Sequence, residues 1–195
     1  MLAFALAALL LLITPGPGVM SLAGVGAAFG TRPGLAYMSG LCLGTNLVAG
    51  MVVAGYAALL LATPYIRTVL MALSFGYLFW LALKIAFAGR KLAFIQADRP
   101  PGLVGGVMLQ IINPKAYVVN TALFTGFAFA NSSLLAETAW KFLILNAIWI
   151  VIHLLWLYAG ISLNRFNLSE RAQFAINSGM ALAMVGVVIL AALVY

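Results

Sequence analysis

Acidic residues are nearly missing from this chain: Asp98, Glu137 and Glu170 are the full complement in 195 residues. His153 is the single histidine and Cys42 the single cysteine. One of each is too few for a protein metal site, so neither a metal nor a cofactor is expected. A lone cysteine cannot close an intramolecular disulfide, and Cys42 lies in an apolar stretch, where it reads as a small packing residue. No nucleophile–base pair, serine–histidine–carboxylate set or phosphate-cradling loop is visible, which argues against an enzyme. No basic run alternates with aromatics, which argues against nucleic acid as a partner.

What the chain does have is apolar length. Hydrophobic residues make up 66% and charged residues 7% of it, with a mean hydropathy of +1.16. A soluble domain of this size could not bury so much apolar surface. The fold class is therefore all-α, a polytopic membrane protein with the lipid bilayer as its surroundings. A spanning helix needs roughly 20 apolar residues, and six stretches qualify: 2–29, 35–62, 68–87, 103–130, 141–163 and 174–195. The first resembles a signal peptide only as far as Ile13. No Lys or Arg precedes it and the apolar run resumes after Gly18, so it reads as a span and not as a cleaved leader. Residues 1–195 form a single integral membrane domain.

Positive charge sets the expected orientation, because cytoplasmic loops carry the excess of Lys and Arg. The first, third and fifth loops hold Arg32, Arg90, Lys91, Arg99, Arg165 and Arg171, with Lys84 close by. The second and fourth hold only Arg67 and Lys141. Both termini are thus expected outside, on the periplasmic face, with residues 90–101 as the main cytoplasmic loop.

Two spans are interrupted. Thr14-Pro15-Gly16-Pro17-Gly18 falls near the middle of the first and Asn113-Pro114-Lys115 near the middle of the fourth, about a hundred residues apart. Backbone freed from hydrogen bonding inside a bilayer is tolerated where it lines a cavity or is buried in protein. Six spans with breaks in the first and fourth read as two inverted three-helix repeats, residues 1–90 and 102–195, whose breaks meet at the membrane centre. Thr14 and Asn113 each read as an N-cap, with Pro15 and Pro114 at the first helical position. Half-helix amides would then converge on a carboxylate or another anion, and Gly16 and Gly18 would let it approach closely. The bland alternative is a pair of proline kinks relieved by neighbouring helices.

Lys115 is the one charge near the middle of a predicted span. A cation there costs roughly 2.5–3.5 kcal/mol even on the lenient insertion scale, so it should face a cavity, a partner or a ligand. It is a candidate both for binding an anionic group and for proton coupling; snorkelling along a water-filled funnel is the alternative. His153 is a second proton-coupling candidate, or a neutral ring tied between helices. It shares one inward face with Asn146, Trp149, Trp156 and Gly160. Asn113, Tyr117 and Asn120 form a stripe on the fourth span, and Ser39 and Asn46 one on the second. Asn46 and Asn120 are substrate-binding candidates with helix-to-helix glue as the equal alternative. The Gly26/Gly30 and Gly40/Gly44 pairs have the small-xxx-small spacing of close helix crossings, either internal or in a homodimer.

The run from Thr14 to Gly18, then Gly30-Thr31-Arg32-Pro33-Gly34-Leu35 and Gly40 with Gly44, resembles the N-terminal motif of the lysine exporter/threonine exporter (LysE/RhtB) family of amino-acid efflux proteins. Residues 76–84, 110–115 and 156–160 are similar to later stretches of that family. The resemblance covers essentially the whole chain. It implies export of amino acids or small derivatives across a bacterial inner membrane, driven by protons, with Pro15, Gly16, Pro17, Asn113, Pro114 and Lys115 in the two helix-break motifs. Two departures stand out: Gly18 where the family usually has Asn, and Asn46 where an acidic residue is common. The second weakens attraction for a cationic side chain and favours a neutral amino acid. A passive small-molecule channel and a membrane assembly partner without flux of its own are the other readings of the same spans.

Overall fold

The computed structural model describes residues 1–14, 16–55, 100–129 and 133–164, with scattered positions within 65–83 and 175–182. Pro15 lies outside the described residues, as do most of the expected spans at 68–87 and 174–195 and residues 90–99 of the expected loop. Every described element is an α-helix: α1 Leu2–Ile13, α2 Pro17–Phe29, α3 Thr31–Val53, α4 Leu103–Ile112, α5 Pro114–Gly126 and α6 Leu134–Asn164. Both expected interruptions are present. α1 and α2 together have the length and polarity of one span bent by 53°, and α4 gives way to α5 at Asn113. Among the described residues, α3 and α6 are the two helices long and apolar enough to cross a membrane unbroken.

Several boundaries differ from expectation, and those of the first and fifth spans bear on the site. The second half-helix of the first span begins at Pro17 with Gly16 as its N-cap, not at Pro15 with Thr14 as N-cap. Thr14 instead closes α1, its hydroxyl donating back to the carbonyls of Leu10 (3.0 Å) and Leu11 (2.6 Å). Both Thr-Pro and Gly-Pro satisfy the local rule for a helix start, and the tertiary partner of the Thr14 carbonyl, described below, decides between them. The fifth span starts seven residues before the expected 141, at Leu134, because the Ser133 hydroxyl accepts from the Ala136 amide (3.3 Å) and caps it. Glu137 and Lys141 are consequently not loop charges but an i, i+4 pair 2.6 Å apart within α6. Lys141 is only 3% exposed and also donates to the Phe124 carbonyl at the end of α5 (2.8 Å), while Glu137 accepts from the Phe129 amide (3.0 Å).

Packing brings the pieces together around α3, which touches α2, α4, α5 and α6, and most extensively α4. Glycines make the closest crossings. A Cβ on Gly40 would strike the Leu103 carbonyl of α4, and one on Gly160 would strike the Ala23 carbonyl of α2. Gly26 and Gly44 likewise sit against α6 and α4, so three of the four small-xxx-small glycines serve internal packing. The fourth, Gly30, turns the chain between α2 and α3 at φ +80, a region where only glycine is unstrained. One apolar cluster (Leu22, Val25, Tyr37, Leu41, Leu109, Trp149) lies where α2, α3, α4 and α6 meet. A second (Phe4, Ala8, Leu123, Leu145) joins α1, α5 and α6. Leu6, Leu10, Leu43, Leu47, Val151 and Leu155 are exposed. Such apolar outer faces suit an integral membrane protein, for which hydrocarbon is the solvent.

Candidate functional site

Each interruption leaves helix-terminal carbonyls and amides without intrahelical partners, and the fold satisfies them unequally. At the end of α1, the Thr14 carbonyl accepts from the Lys115 ammonium at 2.7 Å. Lys115 belongs to the other break, so this bond ties the two motifs directly. A cation at a helix C-terminus also complements the negative end of the helix dipole. At the end of α4, the Ile111 carbonyl accepts from the Tyr117 hydroxyl (2.7 Å). At the start of α5, the Asn113 side chain accepts from the Lys115 amide (3.1 Å), the expected N-cap, with Pro114 in the first turn. At the start of α2 no side chain caps the helix. There Gly16, Pro17, Gly18 and Val19 line a hollow shared with Lys115.

That hollow has a volume of about 50 Å³, room for a few waters at roughly 10–15 Å³ each. Of the sequence-derived site residues, it brings together Thr14, Gly16, Pro17, Gly18, Asn113, Lys115, Asn120 and His153. Gly16 is where backbone must yield to side chain: a Cβ there would come within 2.9 Å of both Lys115 Cδ and Nζ. Pro114 is half-buried and does not line the hollow. Asn46 does not line it either. Its amide exchanges two hydrogen bonds of 2.8 Å with that of Asn146 and so fastens α3 to α6. Ser39 is exposed and bonds back to the Leu35 carbonyl (3.0 Å).

Four polar residues at or behind the site were not among the expected site residues, although Gln110 opens the family-like stretch 110–115. Thr45 and Gln110 line the hollow, with Asn113 donating to Gln110 (3.0 Å) and Gln110 to Thr45 (2.7 Å), a chain joining α5, α4 and α3. Behind it, the Tyr37 hydroxyl donates to Ser21 (3.1 Å) and Ser21 to the Gly18 carbonyl (2.9 Å), which anchors the first turn of α2 to α3. The available signal for Gln110 was its place three residues before Asn113, on the same helical face.

His153 is 3% exposed and stacks on Trp149, with ring centroids 3.5 Å apart and planes inclined by 13°. Its Nδ1 lies 2.8 Å from the Trp149 carbonyl. A carbonyl only accepts, so Nδ1 carries the proton, and in the neutral ring Nε2 is left as an acceptor. That nitrogen lies near the start of α2, 3.8 Å from where a Cβ on Gly18 would be. Asn120, 2% exposed, donates to the Ala116 carbonyl (2.8 Å), and its Oδ1 has no hydrogen-bond partner. A buried acceptor left so costs about 1–3 kcal/mol. The hollow is therefore lined by Lys115, the first turn of α2, His153 and Asn120, with no carboxylate among its described lining residues.

Residues 9–194 match the LysE type translocator family. A leucine efflux protein of Klebsiella pneumoniae subsp. pneumoniae is 26% identical over 136 residues, which are 67% of this chain and 64% of that protein. A leucine efflux protein of Enterobacter sp. (strain 638) is 26% identical over 147 residues, 73% of this chain and 68% of that protein. The match thus spans a little under two thirds of the Klebsiella protein's length. No solved structure matches the chain. The extent of the family match is decisive: this chain belongs to the LysE type translocator family, whose members are transporters and not enzymes.

Proposed function

We propose that this chain exports neutral amino acids, leucine among them, across a bacterial inner membrane by alternating access coupled to protons. The observation that carries the reading is the meeting of both helix breaks at one hollow, with Lys115 of the second break bonded to Thr14 of the first. Such a site holds a carboxylate between the α2 amides and the Lys115 ammonium, because anions are favoured at helix N-termini and beside a cation. The names of the two relatives supply leucine as the first solute to try. The hollow's lining, without a carboxylate among the described residues, favours a solute with no second positive charge. Rocking of two inverted repeats around the fixed breaks would expose the hollow to each side in turn. In that cycle the Lys115–Thr14 bond is made with the solute absent and exchanged for the solute's carboxylate on binding.

The test is leucine flux from proteoliposomes holding the full chain. The expected flux saturates with leucine and falls when an uncoupler collapses the proton gradient. Lys115→Met should abolish it while the protein still inserts. Unsaturable, uncoupler-insensitive flux would instead identify a passive channel. His153→Gln assigns the proton route: flux that keeps its pH dependence in this variant makes His153 structural.

A further inference from the structure

We infer that Asn120 Oδ1 is the receptor for the substrate's ammonium group and so sets the direction in which an α-amino acid lies in the hollow. The inference rests on the transport reading above and deepens it. Asn120 lies on α5 and lines the hollow, and its side chain is almost fully buried. Which of its two amide atoms is left over is settled by chemistry. The atom 2.8 Å from the Ala116 carbonyl must be the NH₂ nitrogen, since a carbonyl can only accept. The atom left over is therefore an oxygen, and it is unpartnered. A buried, unpartnered acceptor on a residue that lines the hollow calls for a donor, and a protonated amine offers three.

The placement fits one class of solute. Lys115 and Asn120 both line the hollow from α5 and are five residues apart, so an ammonium and an acceptor are available at different positions for the two ends of an α-amino acid head group. The end of the hollow at Lys115 and the start of α2 would hold the carboxylate. The acceptor side, at Asn120, would hold the ammonium. Asn120 is neutral, so the solute's two charges compensate each other, as in a monoamino zwitterion. A diamine would bring a second cation into a hollow without a carboxylate among its described lining residues.

The experiment is exchange of radiolabelled leucine in proteoliposomes of the full chain, competed by unlabelled leucine or by 4-methylpentanoate, which keeps the side chain and carboxylate but lacks the amine. Wild-type protein should prefer leucine by at least about tenfold, the factor that one hydrogen bond to a charged group commands. Asn120→Leu should exchange leucine more slowly and lose the preference over 4-methylpentanoate. Asn120→Asp, which keeps an acceptor and adds charge, should widen the preference, and it decides the matter if Asn120→Leu does not fold. Asn120→Leu exchanging leucine with the preference intact would overturn the inference, because the oxygen would then be satisfied by water alone. An unchanged or narrower preference in Asn120→Asp would do the same. Wild-type protein that exchanges leucine but ignores the amine defeats this inference alone, whereas wild-type protein that exchanges no neutral amino acid defeats the transport reading with it.

Discussion

A backbone carbonyl stranded within a membrane span costs several kcal/mol, and single side chains remove that cost at each break. Tyr117 does so for Ile111, Lys115 for Thr14, and Thr14 for Leu10 and Leu11. Tyr117→Phe deletes the hydroxyl and nothing else. It should destabilise the protein by about 1–3 kcal/mol, seen as a lower midpoint of thermal unfolding in detergent, with leucine flux per folded molecule retained. Neighbouring residues also show how far polarity alone leads. Asn46 and Thr45 are adjacent, yet one residue of helix turns the side chain by about 100°, so Thr45 meets the hollow and Asn46 meets Asn146. Polarity marks both residues; only the rotation of α3 against its neighbours says which one reaches the site.

Elements are positioned by what their surfaces leave out. α3 lies on α4, and α2 on α6, with glycine at the crossings, where backbone meets backbone and nothing flexible can give way. Gly160→Ala should therefore force the two helices apart at a cost of about 1–3 kcal/mol. Gly50→Ala, whose Cβ would meet nothing within 4 Å, should be neutral or stabilising. The fraction of each variant that elutes as a monodisperse peak after solubilisation checks both, and equal behaviour of the two would remove the packing argument. The second break was legible from Asn113 and Pro114 because an N-cap and a proline form a local signal that tertiary structure did not override. The first was misplaced by two residues, since Thr14-Pro15 and Gly16-Pro17 carry the same signal. Only the Lys115 ammonium, arriving from a hundred residues away, assigned Thr14 to the end of α1. The start of α6 was missed for a related reason: Glu137 and Lys141 look like loop charges until they are seen to neutralise each other inside the helix.

At the scale of the molecule, orientation is a matter of charge outside the membrane. The proposed topology places residues 90–101 in the cytoplasm and both ends outside. Lys141 is held by Glu137 within α6. In a Cys42→Ala background, a cysteine placed at Gln96 should react with an impermeant maleimide only after the membrane is opened, and one placed at Tyr195 should react without opening; the reverse pattern would invert the topology. Composition and the spacing of prolines by themselves determined that this is a helical membrane protein with two interrupted spans, because hydrophobic length and the missing N–H of proline act wherever the chain lies. They could not determine what answers the interruptions. The Lys115–Thr14 bond, the Gln110–Thr45 chain, the uncapped start of α2 and the unpartnered oxygen of Asn120 depend on which helix faces each break. That is decided by glycine-mediated packing between segments distant in sequence, for which no local rule exists.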